Sequence, residues 1–415
     1  MSVAESTAPH GFDVDAIRED FPALRTVVNG HSLVYLDNAA SAQKPDHVIE
    51  GTAEFYRTSY ANVHRGLHYL SNAATDAYEA ARGKVAAFLG ASSADEIVFT
   101  RSVTEALNLV AHGLGQDIQP GDEIILSIME HHSNIVPWDF LRTGKGAVIK
   151  WVPTLEDGSF DLDAFDGLLS DRTRIVSLTH MSNVLGSLTP VRAVADRLAD
   201  RPDVTFVVDG AQGAVHLPVN VQALGCDFYA VTGHKLYGPS GIGALWGKAS
   251  KLADLPPYMG GGEMIDEVRE DGVTFAEPPG RFEAGTPPIA QAVGLGLALD
   301  YIEQVGREAI ARHETELLTY AMEQIGAMNS VRIMGEAPGK GAIVSFEVEG
   351  AHAHDVSTLL DRYGVAVRAG THCAQPLLKR YGVSSSCRAS FGMYNSFDDV
   401  DRLVGALGKA QAFFG

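Results

Sequence analysis

The sequence predicts an α/β protein in which a large, mainly parallel seven-stranded sheet domain is followed by a smaller α/β domain. Three observations carry this expectation. Seven short β-branched runs alternate with helical patterns, the βαβ rhythm of a parallel sheet covered by helices. A Gly/Pro-rich stretch between residues 255 and 288 breaks that rhythm, and long helical patterns with further apolar runs follow it. The length, 415 residues with 46% apolar, suits two or three packed units. The expected division is an N-terminal segment, residues 1–30, packing with the small domain, then a large domain over 31–288 and a small one over 289–415.

The N-terminal segment carries Glu5, Asp13, Asp15, Glu19 and Asp20 without a basic or apolar leader pattern, so no signal peptide is expected. A helix is expected from Ser71, with Ala74, Ala77, Tyr78, Ala81, Val85 and Phe88 on one stripe and Gly90 just past its end. Strands are expected over 96–100, 123–128, 147–152, 174–179, 205–209, 228–232 and 242–246. Residues 255–288, with their Pro-Pro and Gly-Gly-Gly clusters, read as loops at a domain junction. Helices over 290–304 and 308–325 come next, then strands near 342–348, 365–368 and 387–391, and a closing helix.

Composition excludes several classes. Acidic residues outnumber basic ones 52 to 32, and a net charge of -20 repels a phosphate backbone or an anionic membrane surface. No nucleic-acid or membrane partner is expected, and no eighteen apolar residues run together. Three cysteines, none closely spaced, form neither a disulfide framework nor a zinc ribbon, which fits a reducing cytoplasm.

Chemistry concentrates at two strand ends. The run 205–209 closes on Asp209, at the sheet edge where open α/β sheets place ligands, and 228–232 leads into Gly233, His234 and Lys235. Alone, Asp209 reads equally well as a helix cap and Lys235 as a solvated loop lysine. Together they supply what pyridoxal phosphate requires, a lysine for a Schiff base and a carboxylate that keeps the pyridine nitrogen protonated. The segment 100–106 passes from strand to helix, so its N–H groups and the Thr104 hydroxyl suit a phosphate at a helix N-terminus.

From about Phe21 to the C-terminus the chain resembles the fold-type I pyridoxal phosphate enzymes, and within them the SufS-type cysteine desulfurases of the class-V aminotransferase family. The matching strings are VYLDNAAS at 34–41, ANVHRG at 61–66, MEHHSNIVPW at 129–138, GHKLYGP at 233–239, FEAGTP at 282–287 and RAGTHCAQP at 368–376. The resemblance implies Lys235 as the Schiff-base lysine, Asp209 as pyridinium partner, Gln212 and Asn183 near the ring hydroxyl, and His131 stacked on the ring as an acid/base helper. His132 follows at once, so the stacking residue is either of the two. Thr104 and His234 would bind the phosphate, joined by Thr286 from the other subunit of a homodimer. Ser102-Val103 replaces the family's more common Gly-Thr, and Thr371 stands where His is more frequent.

Of the three cysteines, Cys226 enters an apolar strand and Cys387 alternates with Arg388 on another, which marks both as structural. Cys373 sits in a turn-rich stretch beside His372 and five residues after Arg368, a positive setting that favours a thiolate nucleophile. Arg388 offers a bidentate fork for a substrate carboxylate, and the resemblance places Arg368, Asn183 and His64 around the same substrate. The implied reaction turns L-cysteine into L-alanine, leaving a persulfide on Cys373 for a sulfur-accepting protein of iron-sulfur cluster assembly. Of the two partner types that serve such enzymes, the segment 349–356 leans toward the zinc-bearing SufU-like over the SufE-like, with His354 as an exchangeable zinc ligand.

Four rival readings remain. A metal-dependent hydrolase would use pairs such as His64 with His68, His131 with His132, or His352 with His354, although no metal site is expected. A non-catalytic scaffold is opposed by the joint presence of Lys235, Asp209, Arg388 and Cys373. An aminotransferase has no need of Cys373, while a selenocysteine lyase is the alternative that differs by one substrate atom.

Overall fold

The computed structural model describes residues 12–414. Its centre is a seven-stranded sheet with the strand order Ile97–Thr100, Gly243–Gly247, Phe228–Thr232, Thr205–Asp209, Thr173–Thr179, Glu123–Ser127, Val148–Val152. Gly243–Gly247 alone runs antiparallel to its neighbours, and the other neighbouring pairs are parallel. Helices cover both faces, so strands such as Thr205–Asp209 and Phe228–Thr232 are buried at every position, as continuous apolar runs require. Parallel strands bring their carboxyl ends to one edge, and Ser127, Thr179, Asp209 and Thr232 collect there.

The expected helix from Ser71 runs Tyr69–Leu89, with the His68 ring accepting from the Ser71 amide and Gly90 closing it at φ +68°. A left-handed residue there releases the chain without a Cβ penalty. Helix Ile289–Val305, expected to open the small domain, packs on helices Tyr69–Leu89 and Asp46–Thr58. Ten of its residues are buried, and most of their apolar members sit in the large core. It is apolar nearly all round, so its sequence pattern did not disclose which body it joins.

The second body is a four-stranded antiparallel sheet ordered Val331–Met334, Ile343–Val348, Ser386–Ser390, Arg368–Gly370. Helices Arg307–Gly326, Ala353–Arg362 and Phe397–Phe414 supply its core with residues such as Leu317, Val356 and Leu403. The first eleven residues of the N-terminal segment lie outside the described residues. The rest touches both bodies: Phe21 meets the Tyr237, Tyr301 and Tyr394 rings in the large core, while Arg18 pairs with Asp399 at 2.8 Å.

One expectation needs correction. Residues 255–288 are not loops throughout, because Ile265–Arg269 and Gly272–Phe275 pair as an antiparallel hairpin. Its residues are mostly exposed and heavily charged, so no buried face signalled it. No helix among the described residues is long and apolar enough to cross a membrane.

A strap joins the two bodies. Val34–Tyr35 pairs in parallel with Val365–Ala366, and the chain then passes along the carboxyl edge of the large sheet. Asn38 donates to the Ser390 carbonyl at 2.7 Å, the Ala39 carbonyl accepts from Gln212 at 2.8 Å, and the Ala42 amide donates to the His234 carbonyl at 3.0 Å.

Candidate active site

Strap, sheet edge and small sheet enclose a cavity of about 800 Å³. Asp209 reaches it from the end of its strand, with one carboxylate oxygen accepting from the Ala211 amide at 2.9 Å. Burial raises its pKa, against the pull of that amide and of Lys235. Lys235 lies in the turn Gly233–Lys235 that follows the neighbouring strand, and burial draws its amine down to about 8, with Asp209 opposing. An acid and a base at adjacent strand ends therefore share one desolvated floor.

One wall is the N-terminus of helix Val103–Leu114, where Ser102 caps by accepting from the Glu105 amide. The Thr104 hydroxyl meets Ser133 Oγ at 2.8 Å, and Ser133 Oγ lies 3.1 Å from His131 Nδ1. Gly243 backs this wall so closely that a Cβ would lie 2.9 Å from Ser102 Cα. His131 lines the cavity, whereas His132 turns to the Gln375 amide. Burial, with the Lys235 charge second, lowers His131 to about 3, so the ring is neutral and its Nδ1 accepts from the Ser133 amide. Glu130 beneath it accepts from Ser127 Oγ at 2.5 Å and Asn134 Nδ2 at 2.6 Å, and burial pushes its carboxyl up to about 8.

The small sheet supplies the opposite wall. Arg388 is 2% exposed, donates to the Asn183 carbonyl at 2.8 Å, and burial brings its guanidinium down to about 10. Arg368 stands opposite it across the strand pair and forks onto Asp37. His372 and Cys373 follow, both left-handed at φ +50° and +53°, a conformation that costs a non-glycine residue roughly 1–3 kcal/mol. The turn is held from the large body: the His372 carbonyl accepts from Asn183 Nδ2 at 2.8 Å and the Cys373 carbonyl from the His132 amide at 2.7 Å. Cys373 is exposed at the cavity mouth, near His352 and His354. Cys226 and Cys387 are buried, and burial pushes both thiols up to about 12.

Within one chain the cavity thus gathers Lys235, Asp209, Gln212, His131, Asn183, Thr104, His234, Arg388, Arg368 and Cys373. Thr286 and His64 are not among its lining residues. Thr286 is exposed on the Gly/Pro-rich stretch, and His64 pairs with Glu79 at 2.9 Å in a separate hollow of about 330 Å³. Ser133 and Thr232 line the cavity but were not singled out in the sequence, and His372, expected as a positive neighbour of Cys373, is instead kept neutral by burial, which lowers it to about 3. The His372 neighbourhood and the Ser133 string were visible there, whereas Thr232 looked like an ordinary strand end. Among the described residues no three His, Cys, Asp or Glu side chains group to hold a metal ion.

Several residues that line this cavity carry a buried polar atom without a partner: Gln212 Oε1, Thr232 Oγ1, His372 Nδ1 and Arg388 Nε. Unpaired buried polar atoms are costly. With an amine, a carboxylate and a helix N-terminus beside them, they fit a flat, polar, phosphate-bearing aromatic such as pyridoxal phosphate.

The comparisons agree with this geometry. The family model described as Aminotransferase class-V matches residues 34–403. A cysteine desulfurase of Pectobacterium atrosepticum is 49% identical over 406 residues, covering 97% of this chain and 99% of its own. A probable cysteine desulfurase of Streptomyces coelicolor is 47% identical over 415 residues, covering 98% and 99%. Among solved structures, the cysteine desulfurase CsdA of Escherichia coli superposes with a TM-score of 0.89 at 41% identity, covering 97% of this chain and all of its own. The apo cysteine desulfurase of Thermococcus onnurineus gives 0.91 at 38% identity, covering 96% and 98%. By sequence, fold and the chemistry its cavity collects, the chain belongs to the class-V aminotransferase family, as a pyridoxal-phosphate-dependent enzyme of the cysteine desulfurase type.

Proposed function

We propose that this protein takes sulfur from L-cysteine onto Cys373 as a persulfide, releases L-alanine, and supplies the sulfur for iron-sulfur cluster assembly. The observation that carries the reading is that the one exposed thiol stands at the mouth of a cavity floored by Lys235 and Asp209. The relatives named above are cysteine desulfurases, which favours cysteine over selenocysteine as substrate.

Bound in this cavity, pyridoxal phosphate supplies an electron-accepting ring that stores the pair left when the Cα proton departs. Lys235 would hold it covalently, and the free Lys235 amine would take up and later return the Cα proton. Asp209 would keep the ring nitrogen protonated, Gln212 and Asn183 would bind the ring hydroxyl, and Thr104, His234 and the amides after Ser102 would hold the phosphate. His131, neutral and lining the cavity, would pack against the ring and help move protons; such a positioned group is typically worth about 100 to 10,000-fold. Arg388 grips the substrate carboxylate. The Cys373 thiolate attacks the substrate sulfur: the new S–S bond forms as the Cβ–S bond breaks, the pair left on Cβ takes up a proton, and a second proton returned to Cα completes alanine.

Two further assignments complete the reading. Thr286 and His64 serve the cavity of a second copy in a homodimer, supported by their exposure and by apolar residues near His64 that face solvent, Leu67 at 99% and Tyr69 at 82%. The sulfur acceptor is SufU-like, supported by His354 standing exposed at the mouth with Cys373.

Four outcomes are expected. Cys373→Ala keeps the cofactor's visible absorbance and still binds L-cysteine, while sulfide release falls by at least about 100-fold; near-normal release would falsify the persulfide step. Because only the neutral amine bonds the cofactor, uptake by cofactor-free protein rises about tenfold per pH unit and levels off near pH 8, whereas an ordinary lysine would climb beyond pH 10. Borohydride should then fix the pyridoxyl group on Lys235, and a plateau above pH 10 or another labelled lysine contradicts the assignment. Sedimentation of the loaded protein should show a dimer, and Thr286→Ala should weaken cofactor retention; a fully active monomer overturns the shared site. With a zinc-loaded SufU-like protein, His354→Ala should lose partner stimulation but keep its basal rate, and full stimulation of that variant removes the zinc-exchange role.

A further inference from the structure

Two glycines bracket the turn that follows Asp209, and neither has room for a side chain. A Cβ on Gly210 would lie 2.1 Å from Tyr229 Cε1, and one on Gly213 would lie 2.6 Å from His180 Nδ1. The two rings that fill this space are bonded to each other: the Tyr229 hydroxyl meets His180 Nδ1 at 2.9 Å, with the rings edge to face at 5.8 Å. Tyr229 comes from the strand on one side of Thr205–Asp209, and His180 follows the strand on the other side, so their bond crosses behind the strand end that bears the acid. The His180 amide also donates to the Asp209 carbonyl at 2.9 Å. Both side chains are buried, and among the described residues the phenol has no other partner. Burial holds the phenol well above its ordinary pKa and lowers the imidazole to about 4. A neutral phenol therefore donates and a neutral ring accepts, so the pair adds no charge behind Asp209.

We infer that His180 is a positioning residue for this enzyme: through its bond to the Tyr229 phenol it props the turn from Asp209 to Gly213, and so sets where the Asp209 carboxylate and the Gln212 amide meet the cofactor. The inference deepens the proposed function and rests on Asp209 and Gln212 serving as cofactor contacts. Neither His180 nor Tyr229 lines the cavity, so each reaches the cofactor only through the turn. Groups of this kind decide how closely a site is held to its productive geometry, and small misplacements there are costly.

The test titrates cofactor-free protein with pyridoxal phosphate and records the visible band of the loaded form, two readouts that need no turnover. His180→Leu keeps the bulk and removes the acceptor. It should weaken the cofactor at least about tenfold, the scale of a buried hydrogen bond left with one partner, and displace the band in the direction that Asp209→Asn does. His180→Asn, whose Oδ1 takes the place of Nδ1, should restore most of the affinity; a loss there as large as in His180→Leu overturns the inference. It is also overturned if His180→Leu melts lower both with and without the cofactor yet keeps the parent affinity and band, the mark of a pair that only stabilises the core. Should His180→Leu fail to fold, Tyr229→Phe gives the same two readouts, and parent values for both overturn the inference equally. The underlying reading fails separately, if Asp209→Asn itself leaves affinity and band unchanged.

Discussion

Desolvation of Lys235 and Asp209 at the ends of neighbouring strands is the constraint from which the site follows. Each would lose a large part of its hydration alone, and each partly offsets the other's loss. The result is an amine far more often neutral than a solvent lysine and a carboxylate kept from water by the strap above it. The same dry environment keeps His131, His234 and His372 neutral, so the imidazoles add polarity without adding charge. Of the Asp, Glu, Lys and Arg residues, those lining the cavity are Lys235, Asp209, Arg368 and Arg388, with Asp37 paired to both arginines behind it.

The joint between the two bodies is built from the site itself. Asn183 of the large body bonds both the His372 carbonyl and, through its own carbonyl, Arg388; Ser345 Oγ donates to the neighbouring Val184 carbonyl at 2.6 Å. The turn that presents Cys373 is thus fixed from across the cavity, and those bonds offset the strain of two successive left-handed residues. Relative movement of the bodies would loosen the Cys373 turn and the anchoring of Arg388 together.

Strands were legible because both faces of the large sheet are covered: an apolar β-branched run such as 205–209 leaves little else it can be. Helix Tyr69–Leu89 announced itself by its stripe and its terminal glycine. The hairpin at 265–275 was hidden because its pairing rests on backbone hydrogen bonds and exposed charges, which leave no pattern of burial. Helix Ile289–Val305 was legible as a helix but not as a member of the large core, since the body a wholly apolar helix joins is decided by its neighbours. In the site, reactive residues sat in recognisable strings, whereas Asp37 stood in one of them without a visible task. Its pairing with both arginines depends on a cross-strand register that only the folded chain creates.

The placement of the three thiols also bears on how the protein meets oxidants. Peroxide attacks thiolates that solvent can reach, and the sulfinic and sulfonic stages that follow are not readily reversed. Cys226 and Cys387 lie in the two cores with their thiols pushed up to about 12, so neither competes for the reagent, and neither stands where it could resolve an oxidised Cys373 as a disulfide. Among the thiols, oxidative injury to Cys373 therefore meets neither a sacrificial target nor an internal repair partner. Damage would register as loss of sulfur transfer in a molecule whose fold is otherwise intact.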